Sequence, residues 1–220
     1  NIGTITIAQR LGEGRLANWI ERFGFGKTTG IDFPGESPGF ALPRDEWSGS
    51  TIGTVPIGHG IAVTPIQMAR AYSAVANGGV LVRPRLIERV DGKAVGERRG
   101  SRIVSRDVST KMLSMLRGVV VEGTGTEAAI PGYTVAGKTG TAAKIDSATG
   151  RYSHSRYVAS FVGLVPATKP RLVIMVMVDE PAGSIYGGEV AAPAFREIAR
   201  FNLQHLEVPP DAPRSTGSTG

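Results

Sequence analysis

An α+β fold, with helices first and an antiparallel sheet after them, follows from three features of the sequence. Apolar residues recur at helical spacing through the first part of the chain, to about residue 125. Beyond that the period changes to the alternation of strands. The last two of those strands are joined by "PATKP", a link too short for the crossover that a parallel pair requires.

At the start, Ile2, Ile5, Ala8 and Leu11 mark one short helix, and Leu16, Trp19, Ile20 and Phe23 mark a second after Gly14. "FGFGKTTGIDFPGESPGF" is too rich in Gly and Pro for regular structure, so residues 24–60 are expected to be mostly irregular. Thr64 followed by Pro65 is an N-cap with proline in the first turn. The helix it opens carries Ile66, Ala69, Tyr72, Ser73 and Ala76 inward and ends at Asn77-Gly78-Gly79. "VLVRPRLIERV" (80–90) alternates as an edge strand, since Pro84 bars a central position, and Asp91-Gly92 turns the chain.

Ser105 caps a further helix whose inward residues are expected to be Val108, Met112, Met115, Leu116 and Val119, ending by Gly123. Strands are predicted over 133–142, 157–165 and 172–179. A closing helix runs from Val190 to about Leu206 with Pro193 in its first turn, and the Pro, Ser and Gly-rich residues 208–220 are expected to be a disordered tail. The expected division is therefore one domain over 1–207, helical to about 125, with sheet and final helix over 126–207.

Composition narrows the chemistry. With 41% hydrophobic and 20% charged residues the chain is able to fold around a core. A formal charge of +6 permits an anionic or carboxylate-bearing partner, but "ERRGSR" (97–102) is isolated and reads as a solvated loop, which argues against nucleic acid. The absence of cysteine removes thiol chemistry and disulfides. His59, His154 and His205 lack metal-ligand spacing, so neither a metal nor a cofactor is expected. No apolar run approaches the ~18 residues of a membrane span. The chain opens on Asn1 directly into a helical pattern with no cap ahead of it, which reads as a cut.

"GYTVAGKTGTAA" (132–143) admits two readings. Its first eight residues fit the phosphate-binding loop G-x-x-x-x-G-K-[ST], with "VIMVMVDE" (173–180) as a possible magnesium-holding strand end. A phosphate loop must feed a helix, yet only "AAKIDSA" separates Thr141 from the break at Thr149-Gly150. As a strand the stretch makes better sense. Gly137, Gly140 and Ala142 leave room for an extended ligand backbone, Lys138 adds positive charge, and Thr139 and Thr141, two apart, present hydroxyls on one face to a carboxylate.

Five stretches in order, "RFGFGKTTGIDFPGE", "IGHGIAVTPIQMARAYSAVANGG", "GTGTEAAIPGYTVAGKTGTAAK", "YVASFVGLVPATKPRLVIMVMVDEP" and "YGGEVAAPAFREIA", resemble the C-terminal part of the transpeptidase domain of class B, division-type penicillin-binding proteins. The resemblance implies a penicillin-binding and serine β-lactamase-like fold, present in part, and an activity that cross-links peptidoglycan stem peptides by serine acyl transfer. Lys138, Thr139 and Gly140 match the family's K-T-G. Thr141 matches the next position, whose backbone N–H completes the oxyanion hole. By this likeness Lys138 and Thr141 are catalytic, and Lys138, Thr139, Gly140 and Thr141 bind substrate.

The family's S-x-x-K, which carries the nucleophile serine, has no match, since Thr141-Ala-Ala-Lys144 offers threonine instead. Asn1 matches the last residue of S-x-N and is catalytic by the same likeness; without the nucleophile serine and its lysine the chain alone is expected to be inactive. The resemblance further implies stem peptides and β-lactams as ligands, and a membrane anchor lying N-terminal to these residues. It also implies a catalytic domain on the outer face of the cytoplasmic membrane, and glycan polymerase and division proteins as partners. A serine β-lactamase-like hydrolase, a non-catalytic module of the same fold and a nucleotide hydrolase are the alternatives.

Overall fold

The computed structural model describes residues 1–96 and 100–212, which form two compact units: 1–71 with 80–103, and 72–79 with the chain from 104 on. These units follow contacts rather than the change from helix to strand expected near residue 125. The helix after Ser105 belongs with the sheet, because its apolar stripe packs there.

In the first unit, α1 (Ile2–Leu11) and α2 (Glu13–Phe23) form where the helical spacing places them. Gly24, in the left-handed conformation at φ 80°, ends α2 by donating to Glu21 and Ile20 carbonyls. The following segment is irregular apart from β1 (Phe40–Ala41), 3-10 turns at Arg44–Glu46 and Val55–Ile57, α3 (Thr51–Thr54), and β2 (Ile61–Ala62), which pairs antiparallel with β1. Its path is set by side chains. The Glu36 carboxylate accepts from Thr29 N (2.7 Å), Thr29 Oγ1 (2.5 Å) and Gly30 N (2.9 Å). Gln67, only 2% exposed, donates to the Lys27 and Pro38 carbonyls at 2.8 Å each. These bonds satisfy main-chain groups that no helix or sheet serves.

Gln67 also closes a capping box at the start of α4 (Pro65–Ala76): Gln67 N donates to Thr64 Oγ1 at 3.2 Å while Thr64 N donates to Gln67 Oε1 at 2.8 Å. The cap expected at Thr64 is therefore reciprocal.

The edge strand expected over 80–90 breaks up. Among the described residues, β3 (Val80–Leu81) pairs with β6 (Ser101–Arg102), and β4 (Arg89–Val90) pairs with β5 (Lys93–Ala94) across Asp91-Gly92. Both turn residues have positive φ, 49° and 73°, as a two-residue hairpin requires. Between β3 and β4 the main chain finds a side chain instead of a strand: Leu86 N and Ile87 N donate to the Asp32 carboxylate at 2.7 and 3.2 Å. The segment taken for a solvated loop over 97–102 contributes β6 at its end, and 97–99 lie outside the described residues.

The second unit begins its main helix, α5 (Arg106–Val121), at Ser105, whose Oγ accepts from Val108 N at 3.2 Å. Its inward stripe differs from the expected one. Ser109, Leu116 and Val120 are buried, with Leu113 partly so, whereas Val108, Met112 and Met115 are 43, 36 and 60% exposed. The spacing 109, 113, 116, 120 fits one face as well as the chosen set does, and Ser109 earns its inward place by donating to the Val75 carbonyl at 2.5 Å.

β7 (Ala136–Ile145), β8 (Tyr152–Val165) and β9 (Leu172–Asp179) form an antiparallel sheet in that order. Alternation along β8 sends Phe161 and Val165 into a cluster with Phe195, Ala199 and Leu203, and Leu164 into a cluster with Ala136 and Leu116. Phe161 and Phe195 are fully buried with ring centroids 4.9 Å apart. A Cβ on Gly163 would lie 2.5 Å from the Phe195 ring, so glycine makes the room. α6 (Gly187–Val190) and α7 (Ala192–His205), with proline in the first turn of α7, complete the unit.

β7 starts three residues later than the expected Tyr133, because its entry is tied elsewhere. Tyr133 Oη donates to the Val208 carbonyl at 2.7 Å, and Thr134 N donates to Asp211 Oδ1 at 2.7 Å. The Thr134 and Thr168 hydroxyls also donate to Asp211. The expected disordered tail is thus anchored at its beginning: Val208 is buried, and Asp211 N and Ala212 N both donate to the Gly132 carbonyl. Residues 213–220 lie outside the described residues.

Candidate active site

β7 is an edge strand: β8 pairs along one side, and among the described residues no strand pairs along the other. Its small residues have specific neighbours. A Cβ on Gly137 would strike the Phe161 ring and approach the Val162 carbonyl at 2.7 Å. One on Gly140 would lie 2.5 Å from Ser160 Oγ, directly across the ladder. Gly140 is therefore small for the sake of the neighbouring strand as well as for any ligand.

Thr139 and Thr141 share one face by strand alternation, as expected. Lys138 starts from the opposite face and bends around the edge, so that Nζ donates to the Thr139 carbonyl at 3.0 Å and to Thr139 Oγ1 at 3.2 Å. The side chain as a whole is exposed, but its ammonium is drawn in against the strand. That partial desolvation lowers its pKa below the ordinary lysine value. Because the fold weakens proton binding here, stability rises with pH in the window just under that ordinary value.

Two features beside the strand carry no motif in the sequence. Thr124, in the turn after α5, places Oγ1 2.7 Å from Thr139 Oγ1. Gly187, buried at the start of α6, points N–H toward Thr141 Oγ1 at 3.5 Å, and it has no space for a Cβ against the Ser160 and Gly140 carbonyls. Their only signal in the sequence is glycine density, in "EGTGT" and "YGGE", which shows a tight turn but not what it approaches.

Lys138, Thr139, Gly140 and Thr141 are thus brought together on one edge with Thr124 and Gly187. Asn1 belongs to the first unit, where its carbonyl accepts from Ile5 N at 3.0 Å at the head of α1.

The phosphate-loop reading fails on the secondary structure. Lys138 is followed by strand as far as Ile145, where that chemistry needs a helix N-terminus aimed at the anion. The acidic strand end is also engaged. Lys144 Nζ donates to Asp179 Oδ1 at 3.0 Å and to Glu180 Oε1 at 2.7 Å, and these bonds to Glu180 and Asp179 raise the lysine's pKa.

The chain is similar to known proteins over nearly its whole length. Residues 1–200 match the family model of the penicillin binding protein transpeptidase domain. Penicillin-binding protein PbpB of Mycolicibacterium smegmatis is 43% identical over 95% of this chain and 34% of its own length. Peptidoglycan D,D-transpeptidase FtsI of Escherichia coli is 36% identical over 96% of this chain and 35% of its own length. The crystal structure of penicillin binding protein 3 of Mycobacterium tuberculosis complexed with ampicillin superposes with a TM-score of 0.88 at 40% identity, covering 97% of this chain and 50% of that one. The chain spans about a third of the length of the curated relatives it matches.

Proposed function

The chain belongs to the transpeptidase domain family of penicillin-binding proteins, and on that premise we propose that it supplies one wall of the active site of a peptidoglycan D,D-transpeptidase acting in cell-wall synthesis and division. The observation that carries this reading is the edge of β7 along which, among the described residues, no strand pairs, with Lys138 Nζ and two threonine hydroxyls gathered there.

A stem peptide ending in D-Ala-D-Ala lies along that edge as an added strand. Its terminal carboxylate is held by the Lys138 ammonium and the Thr139 and Thr141 hydroxyls, charge-assisted bonds that fix the scissile carbonyl in register. The Thr141 backbone N–H and that of the nucleophile polarise the carbonyl oxygen. Donors of this kind each contribute roughly 3 kcal/mol to the transition state.

The nucleophile is a serine in an S-x-x-K motif, which these 220 residues do not contain. Its oxygen attacks the carbonyl carbon, the C–N bond breaks, and D-Ala leaves as an amine that takes up the serine's proton. An amine of a second stem peptide then attacks the ester and releases the serine. Asn1, as the last residue of S-x-N, contributes a polar group beside that serine. β-Lactams enter the same carboxylate site and stop at the acyl-enzyme.

In this reading the domain works on the outer face of the cytoplasmic membrane, attached by an anchor outside these residues and beside a glycan polymerase and division proteins. Among the described residues no helix is long and apolar enough to cross a membrane.

Mass spectrometry after incubation with penicillin tests the reading. The longer protein that includes an S-x-x-K serine is expected to gain one penicilloyl adduct on that serine, and Lys138→Ala to slow its formation. The 220-residue chain by itself is expected to gain none. An unlabelled longer protein would sink the transpeptidase assignment; an adduct on the short chain would sink its proposed inactivity.

A further inference from the structure

We infer, resting on the reading of β7 as a carboxylate-binding edge, that Thr124 is a positioning residue for that carboxylate: it sets the direction of the Thr139 hydroxyl. A threonine hydroxyl has one hydrogen and two acceptor sites. Lys138 Nζ has only hydrogens to give, so at 3.2 Å it occupies one acceptor site of Thr139 Oγ1. Thr124 Oγ1, at 2.7 Å, lies at the usual length of an O–H···O bond. When Thr124 donates, both acceptor sites of Thr139 are filled, and its single hydrogen is left to point away from them to a ligand anion. Without Thr124 that hydrogen has no fixed direction.

The turn that carries Thr124 is held before any ligand arrives. Gly125 N donates to the Val119 carbonyl at 2.9 Å, folding the chain back on the end of α5, and Ala128 N donates to the Gly125 carbonyl at 3.0 Å. A Cβ on Gly123 would lie 2.9 Å from the Val119 Cα. One on Gly188 would collide with the Thr124 carbonyl. Glycines on both sides therefore bring the turn and the start of α6 close to Thr139, whose Cγ2 lies 3.5 Å from the same Gly188 Cβ position. Such placement costs no reorganisation on binding.

The inference is tested by acylation rates of the longer, serine-containing enzyme with two probes: a β-lactam bearing its ring carboxylate, and the same compound with that carboxylate masked as a methyl ester. Thr124→Val is expected to slow the carboxylate probe about five- to tenfold, the worth of one hydrogen bond, and the ester by less than about twofold. Thr124→Ser keeps the hydroxyl and should return the carboxylate rate to within about twofold of the parent. Equal slowing on both probes, with or without a lower melting temperature, would assign Thr124 a merely structural role and overturn the inference. Unchanged rates on the carboxylate probe would overturn it too. A parent enzyme acylated by neither probe overturns the functional reading itself, a result distinct from any difference between variants.

Discussion

The loop between Lys27 and Gly39 in the first unit and the sheet of the second are both well determined, but by different forces. The loop is held by side chains that bond to main chain: Gln67 to two carbonyls, and Glu36 to two N–H groups and a hydroxyl. The sheet is held by buried apolar contact, with Phe161, Leu164, Val165, Phe195 and Leu203 all under 2% exposed. Hydrogen bonds are directional, so each clamp specifies a path for a segment with no regular structure. Apolar burial is non-directional and sums over the whole unit. Damage to a clamp should therefore stay local, and damage to the core should spread.

The largest expected effect tests the core. Phe161→Ala removes a fully buried ring that packs tilted against Phe195, and should lower stability by about 3–5 kcal/mol, read as a fall in the denaturant midpoint. A loss under about 1 kcal/mol would mean that the sheet is not held as described.

Next comes the clamp. Gln67→Ala leaves the Lys27 and Pro38 carbonyls and Thr64 N without their partner, at a cost of about 2 kcal/mol. Faster amide exchange should be confined to the neighbourhood of residues 27–39. If exchange quickens equally in β8, the contrast between local and global damage is wrong.

A smaller effect belongs to Asp211, which combines a polar clamp with the sheet. Partial burial works against its charge, but the hydrogen bonds from Thr134 and Thr168 outweigh that and lower its pKa from 3.8. A lowered carboxylate pKa gives stability that is present above the ordinary value and lost as pH falls through the lowered one. Asp211→Asn should cost about 1 kcal/mol at neutral pH, since the site is partly solvated, and should flatten the acid limb of a melting-temperature profile below about pH 4. An unchanged limb would show that this carboxylate contributes nothing to it. Smallest of all is Lys144→Ala. Its ion pairs with Asp179 and Glu180 are solvent-exposed, so no shift of the melting temperature beyond experimental scatter is expected.

The same division governs what could be read from the residues alone. Caps at Thr64 and Ser105 and the turn at Asp91-Gly92 join residues three positions apart, and the alternation that marks the strand through Lys138 is likewise a property of neighbouring residues. The strand expected over 80–90 failed because alternation describes side chains. A strand also needs a partner for its main chain, and there the partner is the Asp32 carboxylate. The stripe of α5 differs from the expected one because two faces carry apolar residues, and which one turns inward depends on what packs against it. The tail composition suggested disorder through Val208 and Asp211, yet Tyr133 and Thr134 hold both residues in place.

By itself the sequence determined the family, through five ordered motifs, and the line of Lys138, Thr139, Gly140 and Thr141 along a strand, because strand periodicity and glycine placement are local properties. Only the tertiary structure decided that Thr124 meets Thr139, that Ser160 fills the space a Gly140 side chain would need, and that Asp211 secures the entry to β7. Those pairs lie 15, 20 and 77 positions apart. No spacing rule joins them; they become neighbours because the core contacts of Phe161 and Leu164 close the sheet and bring the α5 turn, β8 and the chain after α7 to the same strand.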